Sequence, residues 1–346
     1  MKILGIESSC DDSGASVVEN GVKVLSNVVS SQIDIHNKTG GVVPEVAARE
    51  HLLNILPVID SALKKANTDL NEIDAIAVTK GPGLISSLII GTQTANVLSI
   101  VKNKVLIPVH HIVGHIYSNW LDIEDEIVFP VIVLTVSGGH NEIILMRDHL
   151  DFQVLGESRD DACGEAFDKV ARILNMGYPG GPEIYKASLK GNENAFKLPK
   201  AMLEKGSLDF SFSGLKTAVL NEYLRYIQMN NIKEEKDLSE KFKCDISASF
   251  QKACNEVLSD KVIMALNQYP EAKEIHLAGG VSANLNLREM IKSKIPNSLK
   301  FRFPKSLKYC TDNASMIASA GYFIYNSRKE SCHSSSNIIP STDFSM

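Results

Sequence analysis

The stretch Val131-Ile132-Val133-Leu134-Thr135-Val136-Ser137-Gly138-Gly139-His140 decides the fold. An unbroken apolar and β-branched run of this length is typical of a strand that is buried on both faces of a sheet. It ends in a turn of small polar residues, and a second strand is predicted at 142–146. The same order of features opens the chain, where a strand at 2–7 precedes a polar turn at 8–14 and a strand at 15–18. We interpret this repetition as an internal duplication that gives two similar α/β lobes.

Two facing lobes enclose a cleft, and clefts between domains are the usual place for a ligand. Three predicted strands end in polar loops that contain glycine, at 8–14, 137–140 and 279–284. The backbone N–H groups of such loops can bind phosphate oxygens. The sequence has neither a P-loop nor a G-x-G-x-x-G motif, so the two commonest nucleotide folds are not supported. The loops therefore favour a nucleotide site of a different class.

The composition sets further bounds. The chain has 346 residues, of which 44% are hydrophobic and 22% are charged, as in ordinary globular proteins with two lobes. It enters a strand at its first residues, so we expect no signal or transit peptide. The uncharged run 81–101 contains polar residues at 92–96 and predicts a buried helix, not a membrane span. The six cysteines show no C-x-x-C pair, which indicates reduced thiols in a cytoplasmic protein.

A basic run stands out in a chain whose formal net charge is −5. Between residues 288 and 308, basic side chains are opposed only by Glu289. These basic residues are Arg288, Lys292, Lys294, Lys300, Arg302, Lys305 and Lys308. Such a run is either a solvated face or a local contact for nucleic acid.

The second informative stretch is His110-His111-Ile112-Val113-Gly114-His115, which follows a predicted strand at 105–109. On a helix, His111 and His115 would lie on one face and could hold one metal ion. The spacing alone also fits two unrelated histidines. A third ligand could be Asp312, at the start of a helix predicted at 312–327, where an ordinary helix N-cap is the alternative role. A His–His–Asp set with open positions suits ferrous iron or zinc, whereas a zincin peptidase needs Glu where Ile112 stands.

Several stretches together resemble a single protein family. They are Gly5-Ile6-Glu7-Ser8-Ser9-Cys10-Asp11-Asp12, Gly41-Val42-Val43-Pro44-Glu45-Val46-Ala47-Ala48-Arg49-Glu50-His51, Lys80-Gly81-Pro82-Gly83-Leu84, His111-Ile112-Val113-Gly114-His115, Val136-Ser137-Gly138-Gly139-His140, Phe210-Ser211-Phe212-Ser213-Gly214-Leu215-Lys216-Thr217 and Cys310-Thr311-Asp312-Asn313. In this order and spacing, from about residue 3 to residue 325, they resemble the bacterial-type tRNA N6-adenosine threonylcarbamoyltransferases.

The resemblance implies an α/β fold of the actin-like and sugar-kinase-like (ASKHA) class, with two duplicated lobes around a nucleotide cleft. We expect an N-terminal lobe of residues 1–128 plus 312–330, a C-terminal lobe of residues 129–311, and a polar tail at 331–346. The implied reaction transfers a threonylcarbamoyl group from threonylcarbamoyl-adenylate to N6 of the adenosine adjacent to the anticodon, in tRNAs that read ANN codons.

The resemblance also implies the site. His111, His115 and Asp312 would hold one Fe²⁺ per subunit, with zinc as the alternative, and Asp11 is the candidate catalytic residue. Tyr185 stands where many relatives have a carboxylate, which places that ligand contact in doubt. The positions expected to contact the adenylate are Thr135, Val136, Ser137, Gly138, Gly139, Asp168, Gly181 and Asn284.

The partners implied are tRNA, threonylcarbamoyl-adenylate, a paralogous partner subunit and a small ATPase, with no membrane. In that setting the basic run 288–308 is predicted to help position tRNA. Three alternatives remain at this point. The first is an ATP-dependent kinase or ATPase of the same fold, the second is a metallopeptidase, which lacks its Glu, and the third is a noncatalytic binding subunit, against which the His–His–Asp set argues.

Overall fold

Two five-stranded sheets form the centres of the two lobes in the computed structural model, which describes residues 1–200, 206–232, 238–327 and 338–342. The first sheet contains β1 (Lys2–Glu7), β2 (Asp12–Glu19), β3 (Lys23–Ser31), β4 (Ala75–Gly81) and β5 (Val105–His110). The second contains β6 (Val131–Val136), β7 (Asn141–Asp148), β8 (Asp151–Glu157), β9 (Glu274–Ala278) and β10 (Lys300–Arg302).

The two sheets share one topology. Their strand orders are β3-β2-β1-β4-β5 and β8-β7-β6-β9-β10. In each sheet the first strand of the repeat pairs antiparallel with the second and parallel with the fourth. The second and third strands form an antiparallel pair, and the fourth and fifth a parallel pair. The duplicated α/β architecture predicted from residues 131–140 is confirmed.

Helices cover and connect the sheets. In the first half these are α1 (Ile33–Asn37), α2 (Pro44–Lys65), α3 (Ile85–Lys102) and α4 (His111–Tyr117). In the second half they are α5 (Cys163–Ile173), α6 (Gly180–Ser188), α7 (Ser213–Met229), α8 (Glu240–Gln268), α9 (Leu285–Lys294) and α10 (Ala314–Ser327). Within the described ranges, no helix combines the length and the apolar character that crossing a bilayer requires.

Three sequence patterns predict local features that the structure modifies. Pro57, inside a predicted amphipathic stretch, indicates a kink or a break, but α2 continues through it without a break, on an exposed face where water can solvate the carbonyl that lost its partner. Residues 178–182 predict a rigid glycine turn, yet α6 already begins at Gly180. The charged segment 229–241 predicts an exposed helical connection, but α7 ends at Met229, a turn follows at 230–231, and α8 starts at Glu240; residues 233–237 lie outside the described chain.

The last helix returns to the first lobe and packs on its central strands. At Gly5 of β1, an added Cβ would overlap the carbonyl oxygen of Ala314 and lie 2.8 Å from the backbone nitrogen of Ala318. Only a residue without a side chain lets α10 approach the strand this closely. The contact fixes the start of α10 above the carboxyl end of the first sheet.

A single apolar core joins the lobes. It contains Val109 of β5, Val133 of β6 and Ile317 of α10, all fully buried. A core that takes residues from both sheets holds the lobes together at this end of the molecule.

Residues 338–342 pack on the first lobe. Ile338 is 6% exposed, and its backbone N–H and carbonyl bond the side chain of Asn96 on α3, at 3.0 and 3.2 Å. The N–H of Ser341 donates to the carbonyl of Lys80 at 3.0 Å. These contacts account for Asn96, one of the polar residues in the uncharged run 81–101. The other residues of the expected tail, 331–337 and 343–346, lie outside the described chain.

We predict that Gly5→Ala lowers the free energy of unfolding by about 1 to 3 kcal/mol, because backbone atoms of α10 cannot yield to the new methyl group. Urea denaturation followed by circular dichroism measures the change. Gly214→Ala is the matched control, since a Cβ there meets no atom within 4 Å. Equal losses in both variants would contradict the close approach of α10 to β1.

We also predict that Asn96→Ala destabilises the protein by about 1 to 3 kcal/mol, because two buried backbone groups of Ile338 lose their partner. In a chain truncated before residue 338, the same substitution should have a much smaller effect. A double-mutant cycle in urea measures this coupling, and additive effects would show that the contact does not contribute to stability.

Candidate metal and nucleotide site

The three histidines at the junction of β5 and α4 have different roles. His110 is the N-cap of α4, and its Nδ1 accepts a hydrogen bond from the N–H of Ile112 at 3.2 Å. His111 and His115 are one helical turn apart and share one face of α4, with ring centroids 4.6 Å apart. They are 8% and 1% exposed, respectively. The helical spacing expected from the sequence therefore brings their rings together.

The carboxylate of Asp312 faces both rings from the start of α10. Its Oδ1 lies 3.5 Å from His111 Nε2 and 3.2 Å from His115 Nε2. The expected N-cap role belongs instead to the next residue, since Asn313 Oδ1 accepts the N–H of Met316 at 3.2 Å. Because Asn313 caps the helix, Asp312 is available for the histidines.

Close packing of α4 on α10 brings the three residues together. An added Cβ on Gly114 would lie 2.7 Å from Ile317 Cδ1 and 3.3 Å from Met316 Cγ. A glycine between the two histidines thus allows the facing helix to approach. Two helix ends that are more than a hundred residues apart in sequence meet at this point.

The donor set fits a divalent metal ion. The three candidate ligand atoms of His111, His115 and Asp312 lie within 4.8 Å of one another. Both ring nitrogens of His115 are buried without a hydrogen bond, a costly state that a coordinated cation would relieve at one of them. Two imidazoles and one carboxylate with open positions match iron or zinc chemistry.

The electrostatics of the cluster agree with this arrangement. Burial alone would raise the pKa of Asp312, but the charges of His111 and His115 hold it well below its usual range. Burial opposes the charge on His111, yet the carboxylates of Asp312 and Glu7 raise its pKa to about 9. The carboxylates of Asp312 and Glu7 therefore stabilise positive charge at the cluster.

Sequence reasoning missed two residues beside the cluster. Glu7, at the end of β1, has its Oε2 3.1 Å from Nδ1 of His111. His140 lies on the β6–β7 loop, where burial first and then the charges of His111 and His115 lower its pKa. A charged residue that ends an apolar strand was the available signal for Glu7.

A cavity of about 550 Å³ opens next to the cluster. Three helices direct their N-terminal ends at it, through Gly164 of α5, Gly181 of α6 and Leu285 of α9. Helix N-termini favour anionic groups. Thr311, the neighbour of Asp312, also lines the cavity and connects it to the cluster.

Four of the residues expected to contact an adenylate line this cavity, namely Gly138, Asp168, Gly181 and Asn284. Tyr185, the residue in place of a carboxylate, lines it as well. Asp168 accepts the N–H of Gly180 at 2.7 Å, and Asn284 caps α9 through the N–H of Leu287 at 3.2 Å. Both side chains therefore shape the cavity walls.

The other residues expected to contact the adenylate do not line the cavity. Thr135 and Val136 are fully buried in β6, and Ser137 and Gly139 do not line the cavity. Asp11 is partly buried in the first-lobe loop beside Asp312 rather than in the cavity wall, and its burial raises the pKa of its carboxyl.

The basic run 288–308 is largely neutralised by acids of its own lobe and of the loop at 122–126. Lys294 pairs with Asp260 at 2.6 Å, and Lys305 pairs with Glu124 at 2.8 Å. Arg302 pairs with Asp125 at 2.8 Å and Glu274 at 2.5 Å, and Lys300 also contacts Asp125. The run is therefore not a continuous basic surface, because most of its charges hold the 122–126 loop and α8 in place.

The cysteines agree with the expectation of reduced thiols where they are described. Cys10, Cys163, Cys244, Cys254 and Cys310 are free, and Cys332 lies outside the described residues.

Comparison with known proteins identifies similar chains. Residues 23–319 match the family model described as tRNA N6-adenosine threonylcarbamoyltransferase. A relative of that name from Clostridium novyi is 52% identical over 327 residues, covering 94% of this chain and 93% of the relative. One from Dehalococcoides mccartyi is 51% identical over 332 residues, covering 95% of each chain. One from Staphylococcus saprophyticus is 47% identical over 324 residues, covering 93% of this chain and 91% of the relative.

Solved structures share the fold at low sequence identity. HypF from T. kodakarensis has a TM-score of 0.59 at 15% identity, covering 98% of this chain and 49% of that chain. Component A of the (R)-2-hydroxyglutaryl-CoA dehydratase of Acidaminococcus fermentans has a TM-score of 0.51 at 14% identity, covering 93% of this chain and 98% of that chain. These likenesses confirm the ASKHA fold class.

We predict a pH-dependent role for the buried pair of Glu274 and Arg302. Burial would raise the pKa of Glu274, but bonds from His276 and Arg302 lower it from 4.5 to about 2. A depressed carboxyl pKa stabilises the fold above about pH 4.5, and this stabilisation is lost as the pH falls toward 2. Glu274→Gln should therefore be less stable than the parent at neutral pH, with a deficit that shrinks below pH 4.5 in urea denaturation series. A deficit independent of pH would contradict the ion pair.

Proposed function

The chain belongs to the tRNA N6-adenosine threonylcarbamoyltransferase family, and from that premise we propose that it transfers a threonylcarbamoyl group from threonylcarbamoyl-adenylate to N6 of the adenosine adjacent to the anticodon. The acceptors are tRNAs that read ANN codons. The match of the family model to most of the chain, and relatives near 50% identity across more than 90% of it, support a tRNA-modifying transferase.

One observation carries the proposal. The His111, His115 and Asp312 cluster adjoins, through Thr311, a cavity that receives three helix N-termini. A mixed anhydride with a phosphate leaving group needs both features, a polarising centre for its carbonyl and a binding place for its phosphate.

The residues divide the work as follows. His111, His115 and Asp312 would hold a metal ion, most fittingly Fe²⁺ with zinc as the alternative, and that ion would supply Lewis-acid polarisation of the carbamoyl oxygen. The N-terminal N–H groups at Gly164 and Gly181 hold the adenylate phosphate. The cavity walls orient the donor and exclude water from it.

The proposed adenylate contacts are Thr135, Val136, Ser137, Gly138, Gly139, Asp168, Gly181 and Asn284. Thr135 and Val136, whose side chains are fully buried, would contact the adenylate through their backbone. Asp11, beside Asp312 and with a raised pKa, is the proposed group that takes the proton released from N6. Because Asp11 does not line the cavity, we assign it to the incoming tRNA base rather than to the adenylate.

We also propose a paralogous partner subunit and a small ATPase. An exposed apolar face on α2 and α3 supports a partner, because exposed apolar side chains in one area mark protein contacts. The face contains Leu52, Leu53, Leu56, Ile89, Ile100 and Val101. The uncharged run 81–101 was expected to form a buried helix, and this is wrong in part, because α3 (Ile85–Lys102) leaves apolar residues of one side exposed. We propose that the assembly acts in the cytoplasm, where its tRNA is found. Within this chain we propose an N-terminal lobe of residues 1–128 plus 312–330 and a C-terminal lobe of residues 129–311.

The competing functions find less support. A metallopeptidase needs a carboxylate free to activate water, but Glu7, the carboxylate bonded to His111, accepts three internal hydrogen bonds. A kinase or ATPase of the same fold is supported by the fold alone. Transfer of the γ-phosphoryl group of ATP to a small-molecule acceptor, with stoichiometric release of ADP and without tRNA, would favour it.

We predict that His115→Ala, alone or with His111→Ala, removes the bound metal and reduces threonylcarbamoylation of tRNA by several orders of magnitude, because the donor set is broken. Nucleoside analysis of tRNA after incubation with the adenylate, with and without candidate partners, measures transfer, and elemental analysis measures metal. His149→Ala is the control and should retain both, because His149 stacks on Phe323 and bonds the hydroxyl of Tyr117 at the end of α4 but is not one of the three candidate ligands. Full transfer by a metal-free His115→Ala protein would contradict the role of the cluster.

A further inference from the structure

Glu7 is a buried acidic residue, and burying its charge costs free energy unless partners compensate. Its side chain is 1% exposed, and both carboxylate oxygens are used inside the protein. Oε1 accepts the backbone N–H of Ser9 at 2.5 Å, and Oε2 accepts the hydroxyl of Thr79 at 2.7 Å. The remaining contact is His111 Nδ1, 3.1 Å from Oε2. A buried carboxylate with this many donors is held in one orientation.

The sheet itself lines these residues up. β1, β4 and β5 are adjacent parallel strands. Glu7 ends β1, Thr79 lies near the end of β4, and β5 leads directly into His111, the first residue of α4. The register pairs Ile6 with Val78, so that Glu7 follows one and Thr79 the other. The alignment follows from the strand pairing and does not depend on a flexible loop.

The contact decides which nitrogen of His111 is available. When Nδ1 donates its proton to Glu7, the lone pair remains on Nε2, which faces Asp312 Oδ1 at 3.5 Å. A carboxylate behind a metal-binding imidazole fixes its tautomer and ring orientation and raises its basicity.

We propose that Glu7, held by Thr79, is a positioning residue that fixes His111 with Nε2 toward the metal. This inference rests on the metal site proposed above and adds a group that the metal itself does not touch. Ser9 Oγ, 3.2 Å from the same Nδ1, is the competing acceptor. The two distances are nearly equal, and the charge of the carboxylate favours Glu7 as the acceptor, because a charge-assisted hydrogen bond is roughly twice as strong as a neutral one.

Zinc affinity tests the proposal without recourse to catalysis. Purified full-length protein is titrated with Zn²⁺ against a competing chelator. Glu7→Gln should bind zinc about 10- to 100-fold more weakly than the parent, the usual effect of losing a carboxylate behind a ligand histidine. Ser9→Ala should bind like the parent. Parent-like affinity in folded Glu7→Gln, or a larger loss in Ser9→Ala, overturns the proposal.

Glu274→Gln is the matched control. Glu274 is an equally buried carboxylate, 2% exposed, with its Oε2 also 3.1 Å from a histidine nitrogen, that of His276 in the second lobe. It should lose stability but keep zinc affinity. An equal loss of affinity in both variants would reduce the Glu7 effect to general destabilisation and overturn the proposal.

A measurement on the unsubstituted protein covers the case in which Glu7→Gln fails to fold. In the zinc-loaded parent with ¹⁵N-labelled histidine, His111 should show a metal-bound Nε2 and a protonated, exchange-protected Nδ1. Zinc on Nδ1 overturns the positioning role but leaves the metal site intact. A parent that binds no zinc or iron overturns the metal site and this inference together.

Discussion

The contact between α4 and α10 is the constraint on which the candidate site depends. α4 begins immediately after β5, the last strand of the first sheet, and α10 follows β10, the last strand of the second sheet, after the segment 303–313. Gly114 of α4 lets the two helices pack closely, against Ile317 of α10. The first helix contributes two imidazoles and the start of the second contributes one carboxylate. Neither repeat could assemble the set alone, so the duplication of the sheet is what creates the site.

Much of this architecture could be predicted from local patterns. The apolar run at 131–136 and its counterpart at 2–7 indicate the two sheets, because a strand buried on both faces leaves an uninterrupted hydrophobic signature. The four-residue spacing of His111 and His115 predicts a shared face, since helical geometry depends only on sequence separation. In both cases the relevant physics acts over a few residues.

What could not be predicted depends on contacts distant in sequence. Nothing near Asp312 says that Asn313 will cap the helix and leave the carboxylate free, and the nature of the third ligand came from a family resemblance. The sequence left the basic run 288–308 open between a solvated face and a contact for nucleic acid, and it could not show the ion pairs, because the acidic partners Asp125 and Asp260 lie elsewhere in the chain. Asn96 looked out of place for the same reason, since its partner is Ile338.

The cavity has one more consequence. Every residue that lines it falls between Gly138 and Thr311, so its walls come from the second repeat and the segment that leads back from it. The apolar core shared by Val109, Val133 and Ile317 meanwhile ties the two sheets together. A small molecule in this cavity would therefore contact the second repeat and its return segment, whereas the two histidines of the cluster follow the first sheet. Substitutions in the cavity wall and substitutions at the histidines should then affect different properties, retention of the donor in one case and its activation in the other.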